Sequence, residues 1–280
     1  MHSILLDKPV WEERQVEEVT FLACAKLDEI PFIKHGFSTR KGGVSDGIFD
    51  SMNLSFTRGD DDEAVRENFR RMAQAIGVEE DSLVFAKQTH TTNIRVVTEK
   101  DKGKGITKVL DYDDIDGLIT NVPGLCLTTF YADCVPLFVV DPVQKAIGLS
   151  HSGWRGTVAK MGQVTLERMK EVFGTKAEDV IVAIGPSICQ KCYEVSEDVI
   201  IEFQNHFDKK WWDSLYYKKE NGKYQLNLWK ANEIIFIESG VKKENIAVTN
   251  VCTNCNSDFL WSHRATKGQR GSLAAFMAME

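Results

Sequence analysis

The 280-residue sequence has no apolar stretch approaching the roughly 18 residues needed to span a bilayer, so a membrane protein is not expected. Basic character is scarce as well. No basic run exceeds a dipeptide before Tyr217-Lys218-Lys219, and the formal net charge is -7. That balance argues against a nucleic-acid backbone as partner. Met1-His2-Ser3-Ile4-Leu5-Leu6 has neither a basic n-region nor a long apolar h-region, so no signal peptide is expected. The seven cysteines are an odd number without a secretory signal, which reads as reduced thiols in the cytoplasm. Low-complexity tracts, Pro/Gly/Ser linkers and internal repeats are all missing. One domain over residues 1–280 is expected, with N-terminal strands in the first 30, and its length buries a substantial core.

Hydrophobic residues make up 43% and charged residues 27%, as in an ordinary globular chain. β-Branched and aromatic runs separated by polar turns predict strands over 19–23, 83–86, 93–98, 117–120, 125–130, 135–140, 146–150, 180–185 and 246–250. Four of these fall between Asp116 and Ser150 with no helix between them, which predicts antiparallel or mixed pairing. Helices are predicted over 63–76, 158–173, 197–207 and 228–239. The acidic run Asp60-Asp61-Asp62-Glu63 reads as a helix start, Ser196 and Asn227 as N-caps, and Gly77, Gly174 and Gly240 as stops. Clustered strands and unevenly spaced helices predict an α+β fold, an α/β sandwich with a mixed sheet, rather than a regular βαβ winding.

Reactive residues gather in three segments at strand ends: Gln88-Thr89-His90, Ala132-Asp133-Cys134 and His151-Ser152-Gly153-Trp154-Arg155-Gly156-Thr157. Two imidazoles and a thiolate suit zinc with a fourth position left open. The members lie 44 and 17 residues apart, so no local spacing rule joins them. Singly, each His is an ordinary structural residue and Cys134 a small buried hydrophobe. Cys134 with His151 as its base also suits a cysteine nucleophile, as in hydrolases and amidases, and the residues alone do not choose between these readings. Gly153 and Gly156 flank Trp154-Arg155 before a helix start, where Arg155 and backbone N–H groups suit an anion. Two CxxC pairs, Cys189/Cys192 and Cys252/Cys255, have 59 intervening residues. That is long for a zinc ribbon, so free thiols or a labile pair are expected rather than a closed four-Cys site. The second pair is no Pro-Cys-x-x-Cys deaminase signature, because Val251 replaces the proline and no His-x-Glu precedes it.

A longer series of motifs runs from Pro31 to the C-terminus. It begins His35-Gly36-Phe37-Ser38-Thr39-Arg40-Lys41-Gly42-Gly43, then Asn53-Leu54, Gln88-Thr89-His90 and Asp116-Gly117-Leu118. Ala132-Asp133-Cys134-Val135-Pro136-Leu137, His151-Ser152-Gly153-Trp154-Arg155-Gly156, Gly185-Pro186-Ser187-Ile188, Cys192-Tyr193-Glu194-Val195 and Phe259-Leu260-Trp261-Ser262-His263-Arg264 follow. In these motifs the chain resembles the YfiH/YlmD family, also labelled polyphenol oxidase or multicopper laccase. The resemblance implies a fold related to the catalytic domain of cytotoxic necrotizing factor. It implies zinc, with copper as the alternative ion, on His90, Cys134 and His151. It further implies phosphorolysis of adenosine, inosine and 5'-methylthioadenosine, and deamination of adenosine. The laccase label fits poorly, since multicopper sites need many His ligands and the chain has six His.

In that reading the metal lowers the pKa of a water toward neutrality for attack at C6 of adenosine. Arg40 and Arg155 are the candidates to hold phosphate, with Gly42 and Gly43 allowing close backbone approach. Asn53 and Gln88 are candidates for the sugar or base. Asp133 is a candidate to orient a ligand or carry a proton, as catalytic residue beside Cys134, His151 and Arg155. Arg264 is expected to face the pocket, although Ala265 departs from the family's usual second arginine. The competing expectations are a Cys134/His151 hydrolase or amidase acting on cell-wall precursors, and a non-catalytic metal-binding partner of cell-division or cell-wall proteins.

Overall fold

The computed structural model describes residues 10–280. The reading of residues 1–6, with His2, lies outside the described residues, as does the first part of the expected N-terminal strands. In chain order the strands are β1 (Trp11–Val16), β2 (Val19–Cys24), β3 (Ile33–Ser38), β4 (Leu83–Phe85), β5 (Ile94–Val96), β6 (Gly117–Thr120), β7 (Cys126–Tyr131), β8 (Val135–Asp141), β9 (Ala146–Ser152), β10 (Ile181–Ile184), β11 (Glu194–Val195), β12 (Tyr216–Lys218), β13 (Tyr224–Leu226), β14 (Ile246–Val248) and β15 (Leu273–Met279). One six-stranded sheet has the order β1-β2-β3-β15-β7-β4, a second β14-β10-β8-β9-β6-β5, and a small third β11-β13-β12. Both large sheets are mixed. β4 pairs parallel with β7 and β14 parallel with β10, while β8, β9 and β6 pair antiparallel.

The two large sheets pack face to face. Leu22, Phe37, Leu127 and Met277 from the first share a core with Phe138, Val140, Leu149 and Ala183 from the second. Helices cover the outer faces. The helix Asp62–Ile76 buries Val65, Phe69, Met72 and Ile76, one side of an amphipathic cylinder, against Phe85, Cys126 and Phe276. Asp61 caps it by accepting from Ala64 N at 2.9 Å, and Gly77 closes it at φ 75°. On the opposite face, Met161–Phe173 and Leu228–Glu238 cover Val135, Leu137, Val182 and Ile184. The result is a mixed α/β sandwich of helix, sheet, sheet and helix layers, in keeping with the α+β expectation.

Three readings change. The helix expected over 158–173 begins only at Met161 and runs to Phe173, because Lys160 takes a left-handed φ of 61°, and Val158 instead ends a separate short helix, Trp154–Val158. Ser196 stands at its cap position, but its hydroxyl bonds the Asp198 carboxylate instead of a backbone N–H. The antiparallel pairing expected between Asp116 and Ser150 holds for β6, β8 and β9 in the second sheet, but β7 leaves them for the first sheet. The turn from β7 into β8 therefore crosses between the sheets. Strand β15 was absent from the sequence expectations. It reads Leu-Ala-Ala-Phe-Met-Ala-Met, lacks β-branched residues and is buried along its whole length. Only pairing with β3 and β7 makes it a strand.

His35, buried in β3, accepts a hydrogen bond from Cys24 N at 2.8 Å through Nε2. Burial, with a smaller contribution from Arg14, lowers its pKa from 6.5 to about 4. The unfolded chain therefore binds the extra proton between those values. His35 contributes its full stability above pH 6.5 and loses it as pH falls toward 4, by up to roughly 3 kcal/mol. Urea unfolding across pH 4–7 is expected to show this slope in the wild type and a shallower one in His35→Gln.

Candidate active site

His90, Cys134 and His151 meet beside the turn where the chain crosses from one large sheet to the other. His90 follows the edge strand β4, Cys134 lies in the crossing turn between β7 and β8, and His151 stands on β9 opposite Pro136. Their donor atoms all lie within 4.8 Å of one another, with Cys134 Sγ 3.9 Å from His90 Nε2. The imidazole centroids are 4.9 Å apart and nearly perpendicular. The backbone is held in uncommon conformations here: His90 has φ 69° and Asp133 φ 86°. Gly153 lies close to the cluster: a Cβ there would sit 3.1 Å from both Cys134 Sγ and His90 Cδ2, tighter than an ordinary contact.

Asp116 organises the cluster. Fully buried, it accepts from His151 Nδ1 at 2.8 Å and from the backbone N–H groups of Thr89, His90 and Thr91 at 2.9–3.1 Å. Burial pushes its carboxyl up, but the bond from His151 and the backbone donors outweigh it and hold it below the ordinary value. With Nδ1 engaged, His151 turns Nε2 toward the thiol. Burial pushes the Cys134 thiol up, yet His151 and His90 bring it down to about 6. Conversely, burial pushes His151 down while Cys134 and Asp116 raise it to about 9. Both shifts favour a thiolate beside an imidazolium in the metal-free pair near neutral pH. Two imidazoles and one thiolate at these separations fit a tetrahedral ion with a free fourth position.

These residues open on a cavity of about 770 Å³. Phe56, Phe85, Phe130 and Leu110 form an apolar wall, and Arg58, Arg264 and Arg270 a cationic one. Arg270 is buried, at 8% exposure, and its Nε has no hydrogen-bond partner. Its Nη1 donates only to Gly271 O and Ser272 Oγ. Neither Arg58 nor Arg270 forms an ion pair among the described residues. Burial and the nearby Arg58 lower the Arg270 pKa to about 10. A buried guanidinium without a carboxylate is a strong attractor for an anion.

Of the residues expected around the site, Gln88, Asp133 and Arg264 line the cavity. Gln88 grips the Phe130 backbone at both ends, at 2.8 and 2.7 Å. Asp133 accepts from Thr253 Oγ1 at 2.6 Å and Arg264 N at 2.7 Å, so both carboxylate oxygens are committed to positioning. Arg264 donates to Cys192 O and Glu194 O. Arg40, Asn53 and Arg155 are not brought to this cavity. Arg40 stacks 3.9 Å over the Trp261 ring and donates to Ser257 O and Asp50 O. Asn53 is fully buried between Ser272 N and Asp60. Arg155 is exposed over Trp154. Gly42 and Gly43 abut the backbone of Glu18 and Ser51, not the cavity. The expected phosphate and sugar contacts of these residues do not fit their placement.

Asp116, Arg58 and Arg270 had no expected role. Asp116 had a usable signal, because a metal-ligating His usually gives its second N–H to a carboxylate. The two arginines had none, since their neighbours come from distant segments. The remaining histidines among the described residues stay apart. His35 lies in the core, His206 bonds Glu202 O, and His263 lines the cavity wall. The two CxxC pairs, expected as free thiols or a labile pair, converge: all four sulfurs lie within 4.8 Å of one another.

Two outcomes follow from the Asp116–His151–Cys134 chain. In metal-free protein, alkylation of Cys134 by iodoacetamide should rise with pH about a midpoint near 6, where an ordinary thiol gives one near 9. Asp116→Asn should weaken metal binding at His90, Cys134 and His151 by about 10–100-fold in a chelator competition, and move the alkylation midpoint upward.

Comparison with known proteins places these features. Residues 34–280 match the family described as "Multi-copper polyphenol oxidoreductase laccase". Purine nucleoside phosphorylase YlmD of Bacillus subtilis is 34% identical over 246 residues, covering 88% of each chain. Adenosine deaminase RL5, from an unknown prokaryotic organism, is 32% identical over 254 residues, covering 85% of this chain and 93% of its own. The crystal structure of YlmD from Geobacillus stearothermophilus superposes with a TM-score of 0.89 at 30% identity, over 98% of this chain and 100% of that one. The chain therefore belongs to the YfiH/YlmD, or laccase-like polyphenol oxidoreductase, family.

Proposed function

We propose that the protein is a metal-dependent purine nucleoside phosphorylase, acting on adenosine, inosine and 5'-methylthioadenosine, that also deaminates adenosine. The observation that carries this reading is one cavity joining the His90, Cys134 and His151 donors to an unpaired buried arginine and an aromatic wall. Relatives named purine nucleoside phosphorylase and adenosine deaminase support it. Zinc, or copper in its place, would be held by those three residues and supply Lewis acidity.

The chain's own groups do the rest. Phe85, Phe130 and Leu110 offer a flat purine an apolar surface and exclude water. Arg270 and Arg58 hold phosphate, a role first assigned to Arg40 and Arg155. Asp116 keeps the His151 proton at Nδ1. Asp133 fixes the backbone of Arg264 and the hydroxyl of Thr253, which makes it a positioning residue rather than a proton carrier. Gln88 braces the Phe130 wall by its backbone.

The second reading, a Cys134/His151 hydrolase or amidase acting on cell-wall precursors, is favoured by the thiol pKa of about 6. It requires a covalent adduct on Cys134 and activity that survives chelation. An oxidase with several coppers has less support, because among the described residues only one cluster contains histidine.

Zinc-loaded protein is expected to release hypoxanthine from inosine only when phosphate is present, and ammonia from adenosine. Cys134→Ala should abolish both. Arg270→Met should raise the KM for phosphate by about 10–100-fold and leave adenosine deamination nearly unchanged. Absence of phosphate-dependent hypoxanthine from metal-replete protein would sink the phosphorylase reading.

A further inference from the structure

The four thiols outside the active site sit where two neighbouring strands end. β10 and β14 run parallel, and a further parallel bridge, Ser187 to Cys252, extends them past their last paired residues. Ser187 N donates to Val251 O and Thr253 N to Ser187 O. One CxxC turn leaves each strand at this end. The long separation in sequence is the crossover through the helices Glu197–His206 and Leu228–Glu238, and the sheet closes it in space.

The sulfur separations bracket those of a four-thiolate metal site. Cys255 Sγ lies 3.4 Å from Cys192 Sγ and 4.0 Å from Cys189 Sγ, and all four sulfurs are within 4.8 Å of one another. A tetrahedral zinc with bonds of about 2.3 Å places its sulfurs roughly 3.8 Å apart. Two backbone N–H groups, of Cys189 and Cys255, donate to Cys252 Sγ at 3.2 and 3.4 Å. Such donors stabilise a thiolate, whereas a neutral thiol sulfur accepts them only weakly. None of the seven cysteines is joined in a disulfide in this structure.

We propose that Cys189, Cys192, Cys252 and Cys255 form a closed four-thiolate zinc site, separate from His90, Cys134 and His151, that braces one wall of the catalytic cavity. Four sulfurs leave no open position, so the role is structural. The brace acts through short links. Ile188 N donates to Asp133 O at 3.0 Å, Thr253 Oγ1 donates to the Asp133 carboxylate at 2.6 Å, and Arg264 donates to Cys192 O at 3.3 Å. Asp133 adjoins Cys134, and Tyr193, next to Cys192, lines the cavity. Zinc would thus tie the loops after β10 and β14 to the turn that carries the catalytic thiol.

The test separates the two sites by stoichiometry. Protein carrying His90→Ala and Cys134→Ala, purified under reducing conditions, is expected to keep one zinc per chain by plasma mass spectrometry after dialysis. Adding Cys192→Ser and Cys255→Ser should remove that zinc. Cobalt loaded into the His90→Ala/Cys134→Ala protein should give the intense near-ultraviolet thiolate-to-cobalt band and the strong visible bands of a tetrahedral sulfur site. That spectrum decides the question even where the four-fold variant does not fold. Less than a tenth of an equivalent of zinc, a spectrum of octahedral cobalt, iron in place of zinc, or a disulfide between the pairs in the intact mass would each overturn the proposal. The readouts are independent of nucleoside turnover, so the proposed function and this site fail separately.

Discussion

A buried carboxylate is the constraint on which the site depends. Asp116 has lost its water, and an isolated charge in that position would be costly. Four donors offset the loss: His151 Nδ1 and the N–H groups of Thr89, His90 and Thr91. Those bonds have consequences in two directions. They aim the His151 ring at Cys134, and they curl the 89–91 segment so that His90 reaches the same point from the other sheet. The left-handed backbone of His90 is part of that curl. A single acidic residue thereby joins the loop between β4 and β5 to strand β9.

Charge is distributed in the cavity with the same economy. The cluster can carry a thiolate beside an imidazolium, and Arg270 stands buried without a carboxylate of its own. Asp133 lies close by, but hydrogen bonds to Thr253 and Arg264 hold its oxygens. The cationic wall is therefore left for an anion from solution, while the aromatic wall suits a flat apolar body. This division of the surface is the ground for proposing that phosphate and a nucleoside bind the cavity together.

Much of the site was legible in the chain, and the reasons differ by residue. His90, Cys134 and His151 were recognisable by residue type and by motif, because metal chemistry restricts which side chains serve. Arg264 and Gln88 were placed at the pocket, although the hydrogen bonds of Gln88 turned out to serve the Phe130 backbone. Arg40 and Asn53 sit in equally distinctive motifs, yet both are structural: one covers Trp261, the other fills a buried junction at Ser272. A motif marks a demanding position without saying whether the demand is packing or chemistry. Arg270 is the converse, a residue in a plain stretch whose burial gives it a task.

Local sequence decided the local structure. Asp61 and Gly77 set one helix's ends, Asn227 began another, and the alternation of apolar runs marked most strands. The class of candidate metal donors followed from two histidines and one cysteine. Tertiary structure alone decided that β7 and β8 belong to different sheets, that β15 is a strand, and that the two CxxC turns meet. Strand pairing is a contact between segments far apart in the chain, and no residue carries information about its partner's position. The partition of a buried charge between ion pair and open anion site depends on the same distant neighbours, which is why Asp116 and Arg270 emerged only once the sheets were packed.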